Sequence, residues 1–265
     1  MTASTDLAAD HLLAAELAEG AGALLLQVRA ELSARGAPAS ELKDTGDRVA
    51  HEYLMERLAA LRPDDAILSE EGTGATGRTG TDRLGAARVW IVDPLDGTRE
   101  YSEPPRTDWA VHVALVSAGQ PIAGAVALPA QGIVLDRVPA PVLPPPPPAR
   151  PRVIVSRSRP PAIALHLKEA IDGELVEMGS AGAKVAAVVL GHADVYAHSG
   201  GQYEWDSCAP VAVATAAGLV ATRLDGSPLI YNNADPYLPD LVVCHPFIAL
   251  EVRQVIDRWL LTNET

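Results

Sequence analysis

Cysteine is nearly absent from this 265-residue chain, which holds two, and phenylalanine occurs once. Two cysteines cannot build a disulfide scaffold, and Cys208 and Cys244 stand in no CxxC or Cys/His spacing. They read as buried free thiols rather than as zinc ligands or a bridge. Aromatic residues make up 4% of the chain against 48% hydrophobic residues overall, so the core is expected to be aliphatic, with small residues letting helices approach closely. Basic residues are scarce too: 21 Lys and Arg face 34 Asp and Glu, a formal charge of -13. That balance argues against binding to a nucleic-acid polymer and makes metal ions the more natural partners. No apolar run reaches the roughly 18 residues of a membrane span. The acidic opening MTASTDLAADHLLAAEL lacks the basic region of a signal peptide, so no membrane and a cytoplasmic location are expected.

What is present suffices for two core-bearing layers or two modest domains. Leu13, Leu17, Ala21, Leu24, Val28 and Leu32 recur at three and four residues, which predicts an amphipathic helix capped by Ser4 or Thr5. A second helix is predicted over 47–61, opened by Asp47 and stopped by Pro63. Short strand-like runs follow: AIL, VWIV, WAVHVALV, IAGAVAL and GIVLDRV. Between the first two, GTGATGRTGTDRLG reads as a mobile surface loop without the Gly-Lys-Ser/Thr ending of a phosphate-binding loop. At APVLPPPPPARPR proline removes donors and stiffens the chain, which sets the boundary: an N-terminal lobe over 1–142, a linker over 143–151 and a C-terminal lobe over 152–265. After it strands and helices alternate, as in an α/β lobe, and Tyr231 within DGSPLIYNN is placed in a hairpin.

The stretch VWIVDPLDGTREY carries the chemistry. Pro94 disfavours helix at Asp93, so the strand is expected to end there in a turn aiming Asp93 and Asp96 to one side. Two such charges about 4 Å apart at an effective dielectric near 20 repel by about 4 kcal/mol, enough to force proton uptake or recruit a hard cation such as Mg²⁺. Gly97 and Thr98 behind them offer backbone donors to an anion. Alone, the segment is equally well read as a turn in which Asp96 caps a helix. Its company shifts the balance: Glu70 and Glu71 follow AILS at a strand end, Asp206 opens an Ala-rich helix and Asp47 opens another. Carboxylates at element ends can converge on one cleft.

Asp47, then Glu70-Glu71, then Asp93-Pro94-Leu95-Asp96-Gly97-Thr98, then Trp205-Asp206 with Ala209-Pro210 resembles the signature of the lithium-sensitive, magnesium-dependent phosphatases that include inositol monophosphatase. Arg99-Glu100-Tyr101 and the run from Gly179 and Ser180 to Lys184 resemble most the CysQ branch, the 3'(2'),5'-bisphosphate nucleotidases. One departure is Asp44, where the family has Thr. The resemblance implies a layered α-β-α-β-α sandwich of α+β or α/β type in two lobes. It also implies that Glu70, Asp93 and the Leu95 carbonyl hold one Mg²⁺ and Asp93, Asp96 and Asp206 another, with a third ion in some relatives. Asp47, Glu70 and Thr98 would be catalytic, Glu70 taking a proton from the attacking water. Glu70, Leu95, Asp96, Gly97, Thr98 and Asp206 would meet the substrate phosphate, and Arg99, Ser180, Lys184 and Glu204 its sugar or second phosphate. Trp109, His112 and Trp205 read as packing residues.

The implied reaction is hydrolysis of the 3'-phosphate of adenosine 3',5'-bisphosphate (PAP) or its sulfated form (PAPS) in sulfate assimilation. The alternatives are inositol 1-phosphate or fructose 1,6-bisphosphate with the same mechanism, and, as a different class, a non-catalytic metal or nucleotide sensor. A haloacid-dehalogenase-type mechanism needs aspartates two apart, and here they are three apart. A homodimer is left open.

Overall fold

The computed structural model describes residues 3–77 and 80–263. The first helix, α1 (Ala3–Ala34), starts at or before the expected cap, and the side chains of Ser4 and Thr5 lie outside those described. Of the predicted stripe, Leu13, Leu17, Ala21 and Leu32 are buried, whereas Leu24 and Val28 are half-buried and Leu25 is fully buried instead. The helix α2 (Ala39–Leu61) begins eight residues earlier than predicted, so Asp47 lies in its middle and caps nothing. Its stripe of Leu42, Gly46, Ala50, Leu54 and Leu58 runs through Gly46, whose missing side chain breaks the hydrophobic periodicity. That glycine is needed for contact: a Cβ there would lie 2.7 Å from the Tyr101 ring and 2.9 Å from Leu95.

The first sheet contains β1 (Ala66–Ser69), β2 (Val89–Asp96), β3 (Ala110–Ser117), β4 (Gln120–Leu128) and β5 (Ile133–Asp136), in that spatial order. β1 and β2 are parallel and the rest antiparallel. The strands are apolar on both faces because both faces are covered. Trp90, Val92, Val111 and Val113 pack toward α1 and α2, whereas Val89, Ile91, Ala110 and Ala114 join the core between the sheets.

Beyond the proline-rich strap come β6 (Arg152–Ser156), α4 (Ala162–Ala170), β7 (Glu174–Met178), α5 (Ala181–Val189), β8 (Val195–Tyr203), α6 (Glu204–Ala216), β9 (Val220–Thr222), β10 (Tyr237–Cys244) and α7 (Ala249–Asn263). They form a second sheet in the order β7-β6-β8-β10-β9. α5 and α6 fill the space between the sheets, and α4 and α7 cover the outer face of the second. The result is the expected α-β-α-β-α stack. Along the strap Pro141, Pro144 and Pro147 are half-buried between exposed neighbours, the three-residue period of a polyproline helix with one edge seated on the body. We retain the division at 143–151 as a proposal, with two lobes sharing the core around α5 and α6.

Tyr231 lies in the long loop of the hairpin formed by the antiparallel pair β9 and β10, and its hydroxyl meets Ser207 in the interior. One local expectation is corrected. In the Gly-rich loop 72–85, Arg78 and Thr79 lie outside the described residues, but Gly74–Thr76 and Asp82–Gly85 form 3₁₀ turns and Arg83 is fully buried.

Candidate active site

β2 does not stop at Asp93. It pairs with β3 at Asp93 opposite His112 and again at Asp96 opposite Ala110, with one extra residue on β2 between. Residues three apart on a regular strand point to opposite faces, and the inserted residue lets both carboxylates face one side. Proline at position 94 tolerates this because a bulge needs no ladder donor there. The Leu95 amide donates to Asp93 Oδ1 at 3.0 Å, closing the turn. Gly97 follows in the left-handed region at φ 85°, where a Cβ would lie 2.9 Å from that of Ser180, and it leads into the single-turn helix α3 (Thr98–Tyr101).

Oxygen atoms of Asp93, Asp96 and Asp206 all lie within 4.8 Å of one another. Asp206 arrives from the first turn of α6, where Oδ2 accepts from the Tyr203 amide at 2.6 Å. Glu70 stands just past β1, beside β2, and is hydrogen-bonded to Asp93. Asp47 reaches in from α2: Thr98 Oγ1 lies 3.4 Å from Asp47 Oδ1 and donates to the Leu95 carbonyl at 3.2 Å. The structure thus brings Asp47, Glu70, Asp93, Leu95, Asp96, Thr98 and Asp206 into one corner.

The electrostatics are uneven. Burial, then the charges of Glu70, Asp96 and Asp206, pushes Asp93 well above the usual carboxylate range. Burial pushes Asp206 up to about 7, with Asp96 adding to it. Glu70 is an exposed residue, yet the protein crowding its carboxyl, together with Asp96, Glu71 and Asp47, raises it to about 7 against the hydrogen bond from Asp93. Asp47 is likewise raised to about 7, by burial and by Glu71. Asp96 is the exception. Burial would raise it, but His112, the Ser180 hydroxyl and Lys184 hold it down at about 2. Its carboxylate accepts from Ser180 Oγ at 2.5 Å and from the amides of Ala181 at 3.1 Å and Gly182 at 2.6 Å, so it also caps α5. Asp93, Asp96 and Asp206 offer only oxygen, the donor type of a hard divalent cation, with Glu70 alongside Asp93, and such an ion would relieve the crowding that raises Asp93 and Asp206.

The corner opens into a cleft of about 510 Å³ lined by Asp96 and Asp206 and also by Arg99, Arg159, Lys184 and His198. Lys184 is buried, donates to the carbonyls of Gly179 and Ser180, and sits 5.5 Å over the Tyr196 ring. Burial lowers its pKa against the pull of Asp96 and Glu100. Ser180 is strained at φ 47° and its hydroxyl accepts from the Ala183 amide. Arg99 lines the cleft and pairs with Glu103 at 3.1 Å.

Glu204 does not line the cleft as expected. It is fully buried, and both its oxygens accept from residues 232 and 233. Proximity to Asp206 in sequence does not place it beside Asp206's target, because successive positions on a helix point different ways. Conversely, His112 is more than packing: Nδ1 donates to the Trp205 carbonyl at 3.0 Å, and Nε2 lies 3.3 Å from Asp96 Oδ2 without hydrogen-bond alignment. Gly182 makes room for it, since a Cβ there would fall 1.9 Å from Nε2. Asp108, which accepts from the Gly179 amide at 2.6 Å, and the cleft residues Ser158, Arg159 and His198 also went unread. The pairing of VDPLD with AVHVALV was the only signal that could have found His112.

Comparison with known proteins agrees with this geometry. The model of the inositol monophosphatase family matches residues 8–139 and 151–257. A 3'-phosphoadenosine 5'-phosphate phosphatase of Mycobacterium leprae is 50% identical over 252 residues, 91% of this chain and 90% of the relative. The 3'(2'),5'-bisphosphate nucleotidase CysQ of Escherichia coli K12 is 31% identical over 204 residues, 72% of this chain and 80% of the relative. Among solved structures, 2'AMP-bound SaIMPase-II superposes with a TM-score of 0.76 at 19% identity, covering 97% of this chain and 99% of that one, which shows the shared fold. Fold and site define a hydrolase of the metal-dependent phosphatase class. The chain belongs to the inositol monophosphatase family.

Proposed function

We propose that the cleft hydrolyses the 3'-phosphate of PAP or PAPS with Mg²⁺, in support of sulfate assimilation. The observation that carries this reading is the two-signed lining of one cleft: Asp96 and Asp206 of the carboxylate nest together with Arg99, Arg159 and Lys184, in a chain of net charge -13. A monophosphate needs only the nest. A bisphosphate also uses the basic side chains, and the names of the relatives point the same way.

The carboxylates of Glu70, Asp93, Asp96 and Asp206 and the carbonyl of Leu95 would hold two Mg²⁺, with room for a third ion left as an expectation. Bound Mg²⁺ supplies charge neutralisation for the phosphate, acidification of water and stabilisation of the leaving oxygen. The chain's own groups do the rest. Backbone N–H groups at Gly97 and Thr98 orient the phosphate. Glu70, raised to about 7, is poised to accept a proton from the attacking water near neutral pH. Asp47 and Thr98 hold the Leu95 carbonyl in place and complete the proton path. Ser180, Lys184, Arg99, Arg159 and His198 receive the sugar and the second phosphate.

A panel of PAP, inositol 1-phosphate and fructose 1,6-bisphosphate, assayed with Mg²⁺ and with EDTA, tests the reading. The expected result is the highest kcat/KM on PAP and loss of phosphate release in EDTA. A preference for either sugar phosphate would replace the substrate, and tight PAP binding without turnover would make the protein a sensor.

A further inference from the structure

The carboxylates come from segments far apart in the chain, and something must fix their spacing before any ion arrives. Glu70 belongs to the connection after β1; Asp206 belongs to the first turn of α6. Between the β1–β2 connection and this turn runs a polar chain whose two charged ends, Arg83 and Glu204, are fully buried. Arg83, in the same β1–β2 connection as Glu70, is fully buried and donates through Nη1 to Asn232 Oδ1 at 2.6 Å and through Nη2 to the Asn233 carbonyl at 2.8 Å. Asn232 returns a bond from Nδ2 to the Arg83 carbonyl at 3.3 Å. Asn232 sits in the left-handed region at φ 65°, and its amide and that of Asn233 donate to the two oxygens of Glu204 at 2.6 and 2.8 Å. The Asn233 side-chain amide adds a third bond at 2.8 Å. Glu204 is the first residue of α6 and Asp206 the third.

Two opposite charges buried this deeply cost several kcal/mol of lost hydration, so such a network is a poor way to gain stability and a good way to fix one geometry. Apolar side chains would fill the same space without the desolvation cost, but they would not set the rotation of the α6 turn against the β1–β2 connection. We propose that Arg83, acting through Asn232, Asn233 and Glu204, is a positioning residue for the carboxylate nest, locking the segment that carries Glu70 to the turn that carries Asp206 and so setting the affinity for a divalent cation. The inference rests on the reading of those carboxylates as metal ligands.

The test is Mn²⁺ titration of the full chain, with free Mn²⁺ read by electron paramagnetic resonance. Arg83→Met is expected to weaken binding about tenfold, the low end of what partners outside the ligand set contribute. Arg83→Lys, able to keep one of the two bonds, should lose less. Asn232→Gly keeps the left-handed backbone and the amide bond to Glu204 while removing the Arg83 acceptor, so it should weaken binding even if Arg83→Met does not fold. Arg62→Met, which removes one of the two arginine partners of Asp10 elsewhere in the molecule, should bind Mn²⁺ as the wild type does. Saturating metal should restore most of the turnover of the Arg83 variants. Affinity within twofold of wild type in both Arg83→Met and Asn232→Gly, or equal weakening in Arg62→Met, overturns the latch alone. Failure of the wild-type chain to take up Mn²⁺ overturns the ligand assignment and the latch with it.

Discussion

Asp93→Asn separates what the nest does for function from what it costs the fold. Asp93 is 1% exposed and is raised well above the usual carboxylate range by burial and by Glu70, Asp96 and Asp206. A folded-state pKa above the unfolded one means that the folded chain holds more protons through that window, so stability falls as pH rises through it. Two unit charges at the observed 4.8 Å limit and an effective dielectric near 20 repel by about 3.5 kcal/mol. Proton sharing and the retained burial of an amide reduce the gain on neutralisation to about 2 kcal/mol. For a chain of this size that corresponds to a rise in Tm of about 4–8 °C. The asparagine oxygen can still accept from the Leu95 amide, so the turn survives. Calorimetry in EDTA should therefore show Asp93→Asn melting higher than wild type at pH 8, with the difference shrinking as the pH falls and vanishing below the unfolded carboxylate pKa of about 4. Turnover with saturating Mg²⁺ should fall by more than about a hundredfold, beyond the loss typical of groups that only support a ligand. A variant no more stable than wild type at pH 8, or one that turns over normally, refutes the reasoning.

Asp96→Asn should do the opposite to stability. Its charge caps α5, and asparagine keeps only one of the two oxygens that accept from the Ala181 and Gly182 amides, so the lost charge and the unpaired amide should cost about 1–3 kcal/mol, seen as a lower Tm in EDTA; an unchanged Tm would count against the cap. The wild-type chain in EDTA should melt progressively lower from pH 5 to 8, because Asp47, Glu70 and Asp206 are raised to about 7 and the folded state gives up its proton advantage across that range. Added Mg²⁺ must displace those protons, so its stabilisation should grow with pH, and equal Mg²⁺ shifts at pH 5.5 and 8 would contradict this. Gly46→Ala should destabilise by about 1–3 kcal/mol and lower turnover, because the new methyl group pushes Tyr101 and Leu95; normal kinetics would show that α2 yields instead.

The layers were legible because period-two and period-3.6 patterns survive in strands and helices whose faces are buried, and the nest was legible because Asp96, Asp206 and Glu70 stand at or just beyond element ends and Asp93 precedes a proline. What stayed hidden depends on contacts between remote segments. The start of α2 was lost at Gly46, where packing, not hydrophobicity, selects the residue. The bulge that turns Asp93 and Asp96 to one side is a property of pairing with β3. Glu204 carried the chemistry of a ligand, but its surroundings, the amides of Asn232 and Asn233, are set by a loop that forms no strand. Arg159 comes from the connection after β6 and His198 from within β8, and they share no local pattern. Arg83 lay in a Gly-rich stretch whose composition signals exposure, while its side chain is wholly interior.

The central claim is that these acidic side chains gather divalent ions. Crystals of the chain grown with Mn²⁺ and measured at the manganese absorption edge test it most directly: the account predicts anomalous peaks bounded by Glu70, Asp93, Leu95, Asp96 and Asp206. Peaks elsewhere with none in that corner, at saturating Mn²⁺ and pH 8, would contradict it.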